Sequence, residues 1–104
     1  MIQVKLIKNS NKVKKITIIG HADYDKYGRD IVCASVSSVV ILTINNILTI
    51  DKEAVSYSLG DILTIDILKD VEIVNTLIDN MLKCLIELAG DYPKNIKLEE
   101  ENNE

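Results

Sequence analysis

The 104-residue chain has a single histidine, His21, and two cysteines, of which Cys33 follows it by twelve positions. An imidazole and a thiol are the side chains that together make a proton acceptor and a sulfur nucleophile. The residues between them can fold back on themselves, since each spans at most about 3.5 Å, so reach does not decide whether the two meet. The same residue types also serve ordinary packing: a cysteine on an apolar helix is commonly core, and a lone histidine after a strand is commonly surface. A metal set of His21, Asp23, Asp25 and Cys33 mixes one thiolate with two carboxylates and lacks the ligand pattern of structural zinc. No metal or organic cofactor is expected.

The elements around the pair are legible. Ile2–Lys8 and Val13–Ile19 are β-branched and largely alternating, with Asn9-Ser10-Asn11-Lys12 as turn chemistry between them, which predicts a β-hairpin. Gly20 ends the second strand. Residues 21–29 show no apolar period and hold Gly28, so they read as an exposed, mobile loop with Gly20 and Gly28 as its hinges. Asp30 is placed to cap a helix that starts at Ile31, by accepting the N–H of Val32 or Cys33. That helix is apolar on most sides and is expected to be buried, by the sheet on one side and by another element or subunit on the other.

Glu53–Leu59 and Ile62–Ile67 form a second alternating pair around Gly60-Asp61. Val71, Val74, Ile78, Met81, Leu85 and Leu88 recur at helical spacing, with Gly90 and Pro93 as stop signals. Cys84 flanks that stripe and reads as a small packing residue. The order ββαββα predicts an α+β fold, an antiparallel sheet packed against two helices, with a possible short edge strand at Asn95–Leu98. One domain over residues 1–98 and a frayed acidic tail over 99–104 complete the expectation.

This arrangement puts His21 just beyond a strand and Cys33 in the first turn of a helix. Unpaired first-turn N–H groups and the positive end of the macrodipole favour a thiolate there. The N–H groups of Cys33 and Ala34 are also candidates to face a developing oxyanion.

Composition narrows the function further. The net charge of −4 conceals a polarity: residues 1–30 carry seven Lys/Arg against three Asp, and residues 31–104 carry five against thirteen acidic groups. An overall pI near 4.9, without clustered Arg, argues against direct nucleic-acid binding. The alternating start of the chain does not resemble a signal peptide, so a cytoplasmic protein with free thiols is expected. The apolar run Ile31–Ile50 contains Ser35, Ser37, Ser38, Asn45 and Asn46, which reads as a helix of the fold and not a membrane span.

Gly20-His21-Ala22, Gly28, Asp30-Ile31-Val32-Cys33-Ala34 and Val36-Ser37 together resemble the signature of the ribosomal-processing cysteine proteases, the Prp family, and the likeness extends to the second hairpin, the amphipathic helix and Tyr92-Pro93. The resemblance implies an endopeptidase that removes the N-terminal extension of large-subunit ribosomal protein twenty-seven, with His21 and Cys33 as the catalytic pair. It also implies a homodimer, a mobile loop over the site at residues 22–29, and an apolar pocket beside Cys33. Ser35 stands where the family more often has Ala, and the charged loop Asp23–Tyr27 is not a fixed family pattern. The rival reading is a non-enzymatic ribosome-associated module, in which the basic hairpin and the acidic remainder bind a partner and Cys33 merely packs.

Overall fold

The computed structural model describes residues 1–103. Two eight-residue strands, β1 (Ile2–Asn9) and β2 (Lys12–Ile19), are followed by helix α1 (Ile31–Ile50), strands β3 (Val55–Ser58) and β4 (Ile62–Ile67), helix α2 (Glu72–Asp91) and strand β5 (Ile96–Asn102). Ser10 and Asn11 join β1 to β2 with φ of 53° and 64°, the backbone sign that a tight two-residue hairpin turn requires.

The five strands form one sheet in the order β3-β4-β2-β1-β5. Every pair is antiparallel except β1 with β5, which run parallel in the register Ile2↔Ile96, Val4↔Leu98 and Leu6↔Glu100. The sheet is therefore mixed, and this corrects the expectation of a purely antiparallel one. The last strand is also longer than the sequence pattern predicts. Glu99–Asn102 lie in β5 instead of fraying, while residue 104 of the expected acidic tail is outside the described residues.

The cause of that difference is charge carried by the neighbouring strand. Lys5 meets Glu101 at 3.3 Å and Lys8 meets Glu100 at 2.7 Å, so an acidic run that would repel itself alone lies along a basic edge. On the hairpin's other side Lys12 pairs with Asp70, and Lys15 lies 3.9 Å from Asp66. Exposed pairs of this kind contribute about 0–1 kcal/mol each, so they select the strand's neighbour more than they stabilise the fold. The two charge fields seen along the sequence are thus folded against each other.

Both helices lie on one face of the sheet. Ile2, Val4, Leu6, Ile16, Ile65 and Ile96 bury their side chains against Val32, Val36, Val40, Ile44 and Ile47 of α1 and Val74, Ile78, Met81 and Leu85 of α2. The opposite face of α1 is not covered. Ile31, Ile41 and Leu42 are exposed, so within one chain the sheet covers one side of this helix as expected and no element covers its outward face. By length and composition this helix also passes as one able to cross a membrane, a test that the core helix of a soluble protein meets too.

Helix α2 runs through Gly90 to Asp91 and closes with the Tyr92 N–H on the Leu88 carbonyl at 2.8 Å. Gly90 is not the stop that the sequence suggested; the turn at Pro93 comes directly after the helix. Cys84 is exposed and does not pack in the core. Ile16 is fully buried at the centre of β2, and Ile16→Ala should lower the unfolding free energy by about 3 kcal/mol in urea titrations, with an unchanged slope.

Candidate active site

Strand β2 ends at Ile19, and the chain leaves it through Gly20 at φ +94°. A side chain there would be strained and would collide with the carbonyl of Met1, so this exit needs glycine. His21 follows, exposed. Ala22 turns inward and is 1% exposed, and its N–H lies 3.2 Å from the Cys33 sulfur. Because the Ala22 nitrogen is bonded to the His21 carbonyl carbon, the backbone of His21 sits directly against Cys33. The backbone at His21 and the side chain of Cys33 are thus brought to one junction, at which His21 is exposed and Cys33 half-buried.

Asp30 organises both ends of the loop. Its Oδ1 accepts the N–H groups of Val32 and Cys33, both at 3.0 Å, which is the predicted N-cap. Its Oδ2 accepts Tyr24 N–H at 2.9 Å and Asp25 N–H at 3.4 Å. The capping role was readable in the sequence; the hold on the loop was not. These bonds, led by that from Cys33 and opposed by some desolvation, keep the Asp30 carboxyl below its ordinary value of 3.8.

The loop has further anchors that its lack of apolar period concealed. The Tyr24 ring meets Tyr92 edge-on with centroids 5.4 Å apart, and Asn95 Nδ2 donates to the Ala22 carbonyl at 2.9 Å. Asp23, at φ 54°, pairs with the Met1 amino group at 3.3 Å. Residues 26–29 form the free tip, closed by Arg29 N–H on the Lys26 carbonyl at 2.9 Å, with Gly28 at φ +84°. The base of the loop is thus tied to the rest of the fold at residues 22–25, while the hydrogen bonds of Lys26 and Arg29 stay within the loop.

The donors around the sulfur differ from those expected. Cys33 N–H is bonded to Asp30 Oδ1, and Ala34 N–H to the Asp30 carbonyl at 3.1 Å, so the two amides assigned to an oxyanion are already engaged. The donor that does point at Sγ comes from Ala22. Its signal in the sequence is slight: a small residue next to His21 that admits close approach. The loop carboxylates are also occupied. Asp23 takes the amino group, Asp25 Oδ1 takes Lys26 N–H at 2.7 Å, and Asp30 takes four amides, so none is bonded to His21.

An open groove of about 610 Å³ runs between the first half of α1 and the last turns of α2. Ile31, Ala34 and Val39 of α1 and Leu88 of α2 give it an apolar lining, to which α2 adds Cys84, Glu87 and Asp91. Cys33 is not on its surface, although Ile31, two positions before it, and Ala34, the next residue, are. This apolar groove therefore adjoins the junction without opening onto the sulfur.

The model of the cysteine protease Prp family matches residues 1–97. The chain belongs to the Prp family of cysteine proteases. A relative named ribosomal processing cysteine protease Prp, from Staphylococcus aureus, is 30% identical over 98 residues, covering 88% of this chain and 91% of that one. The crystal structure of the Staphylococcus aureus ribosomal processing protease Prp with a covalently linked product peptide superposes with a TM-score of 0.92 at 29% identity, covering 97% of this chain and all of that one. The same Prp protease with a substrate peptide gives 0.86 at 28% identity, covering 97% of this chain.

Membership in this family makes the chain a cysteine peptidase and sets aside the non-enzymatic reading. The folded charges agree, because the basic hairpin that was to bind a partner is paired with the chain's own acidic residues.

Asp30 yields a direct test. A carboxyl whose value is lowered in the fold stabilises it at pH above about 3.8 and loses that contribution as pH falls through the lowered value. Acidification below about pH 4 should therefore release amide protection at Tyr24 and Cys33 before that of Leu6 in the sheet, as read by hydrogen exchange. Asp30→Asn should show the same loss at neutral pH, since its single carbonyl oxygen can serve the loop pair or the helix pair but not both.

Proposed function

We propose that this protein is the endopeptidase that removes the N-terminal extension of large-subunit ribosomal protein twenty-seven, working in the cytoplasm with His21 and Cys33 as its catalytic pair. The observation that carries the reading is the Ala22 N–H on Cys33 Sγ, which sets the thiol directly beside the backbone of His21. Support also comes from the ribosomal-processing name of the Staphylococcus aureus relative and from the peptide complexes of that protein.

The chemistry uses the chain's own groups. The His21 imidazole takes the Cys33 proton, and the sulfur attacks the carbonyl carbon of the scissile peptide. As the C–S bond forms, Sγ ceases to be the acceptor for Ala22 N–H, and that donor is released to the oxyanion growing beside it. His21 then gives its proton to the departing amine, leaving a thioester. Water, deprotonated by His21, attacks the thioester, and collapse frees the carboxylate product while the proton returns to Cys33. Burial of Ala22 keeps its N–H for these two acceptors in turn.

The enzyme acts as a homodimer in this reading, with a second copy covering the outward face of α1. Ile31, Ile41 and Leu42 stand there at helical spacing, opposite the stripe that meets the sheet. Equilibrium sedimentation should find twice the 11.6 kDa of one chain, and Leu42→Glu, at a residue 61% exposed, should return it to one chain with thermal stability kept. Wild type sedimenting as a single chain would remove the dimer.

Cleavage is tested by incubating the protein with the extended ribosomal protein and reading the new N-terminus by mass spectrometry. Cys33→Ala should abolish the product while still binding the precursor. Wild type should show a bell-shaped pH dependence whose limbs belong to the pair, and His21→Ala should lose at least about a hundredfold in rate together with that shape. An unchanged profile in His21→Ala would dismiss His21 as the base.

A further inference from the structure

We infer that Asn95 is a positioning residue for this peptidase, acting through Ala22 on the sulfur of Cys33; the inference rests on the proposed role of that sulfur as nucleophile. Asn95 lies in the turn between α2 and β5, 73 positions from Ala22 in the chain, and its Nδ2 donates to the Ala22 carbonyl at 2.9 Å. A carbonyl oxygen can only accept, so the orientation of the carboxamide is fixed by its partner.

Asn95 is itself held by the backbone. Its N–H donates to the Tyr92 carbonyl at 2.9 Å, its carbonyl accepts Ile2 N–H at 2.8 Å, and Ile96 N–H closes the turn on Tyr92 at 3.1 Å. The side chain is therefore a donor on a rigid base, joined to the β1/β5 ladder. Ala22 has no comparable means of fixing itself, since its side chain is a methyl group. Its N–H points at Sγ and its carbonyl at Asn95, so the residue is gripped from both sides. Removing the carboxamide leaves a buried carbonyl without that donor, and the peptide unit will turn to find another. The N–H on the sulfur and the neighbouring His21 then leave their places together.

A turn residue could be retained for turn geometry alone, and Asn95→Asp separates the two roles. Aspartate keeps the size and turn preference of asparagine but presents acceptor oxygens where the donor stood. Asn95→Ala removes the group altogether. Three readings are taken on each: kcat and KM on an extension-derived peptide, amide exchange at Ala22 with Ile2 and Leu6 as references, and iodoacetamide modification of Cys33 relative to the exposed Cys84 of the same molecule.

With Asn95→Asp we expect kcat to fall about tenfold with KM within about twofold, as misplacement of a reacting group requires. Ala22 exchange should quicken about tenfold while Ile2 and Leu6 keep their protection, and the Cys33 to Cys84 modification ratio should fall about tenfold. Unchanged Ala22 exchange and an unchanged ratio in both variants would overturn the proposal. Loss of protection along β1 in both variants would overturn it as well, by assigning Asn95 to the fold. The exchange and modification readings need no peptide, so they decide the role of Asn95 even if wild type fails to cleave, a result that would count against the proposed substrate instead.

Discussion

One carboxylate receives four backbone N–H groups at the heart of this structure. An ionised aspartate is acceptor-only with about four lone-pair sites, and Asp30 presents them to Tyr24, Asp25, Val32 and Cys33. Two of those donors begin helix α1 and two belong to the loop that follows β2, so the helix start and the loop base share one anchor. Had they separate anchors, the sulfur and the residues around His21 could shift independently. The same saturation gives Asp30 a single role: with both oxygens engaged on amides it has no face left to orient an imidazole. Its charge also sits where the helix macrodipole is positive, a placement that suits an anion.

The remaining constraints come from the two ends of the chain. Met1 presents its carbonyl where Gly20 must lack a side chain, Tyr92 meets Tyr24, and Asn95 holds Ala22. Those partners stand where they do because β1 and β5 lie side by side, an arrangement steered by Lys5 and Lys8 against Glu100 and Glu101 and sealed by Ile2, Val4 and Ile96 in the core. A junction contributed by residues 20–33 is thus completed by residues from both ends of the chain, of which Asn95 is 73 positions from the residue it holds. It cannot form until those non-local pairings are in place, and such closures are the slow ones in folding.

This division explains what could be read from the sequence. Hairpins, the N-cap at Asp30, the start of α1 at Ile31 and the amphipathic stripe of α2 rest on local chemistry, and each was legible. The parallel β5, the buried Ala22 and the reach of Asn95 depend on which distant segments meet, and no spacing encodes that. The acidic run at Glu99–Glu101 looked like a solvated end because its neutralising lysines lie on a strand at the other end of the chain. Cys84 misled in the same way: it flanks an apolar stripe, yet the side it occupies faces the open groove between the helices. The two amides that the sequence offered to an oxyanion have local acceptors for local reasons, since the N-cap carboxylate takes the Cys33 N–H and the first turn of the helix gives the Ala34 N–H to the Asp30 carbonyl.

The interval of twelve between histidine and cysteine now has a physical origin. The chain must leave β2 at Gly20, turn Ala22 inward to meet the sulfur, and offer two amides to Asp30 Oδ2; it must then return so that the other oxygen caps α1. Residues 22–25 and 30 are committed to that path by the bonds they make. Residues 26–29 only complete the turn: Tyr27 is fully exposed, and nothing lies within 4 Å of the space a side chain would fill at Gly28. The spacing is therefore the length of a loop whose two ends are tied to one carboxylate, and whose tip hydrogen-bonds only within itself and to Asp25.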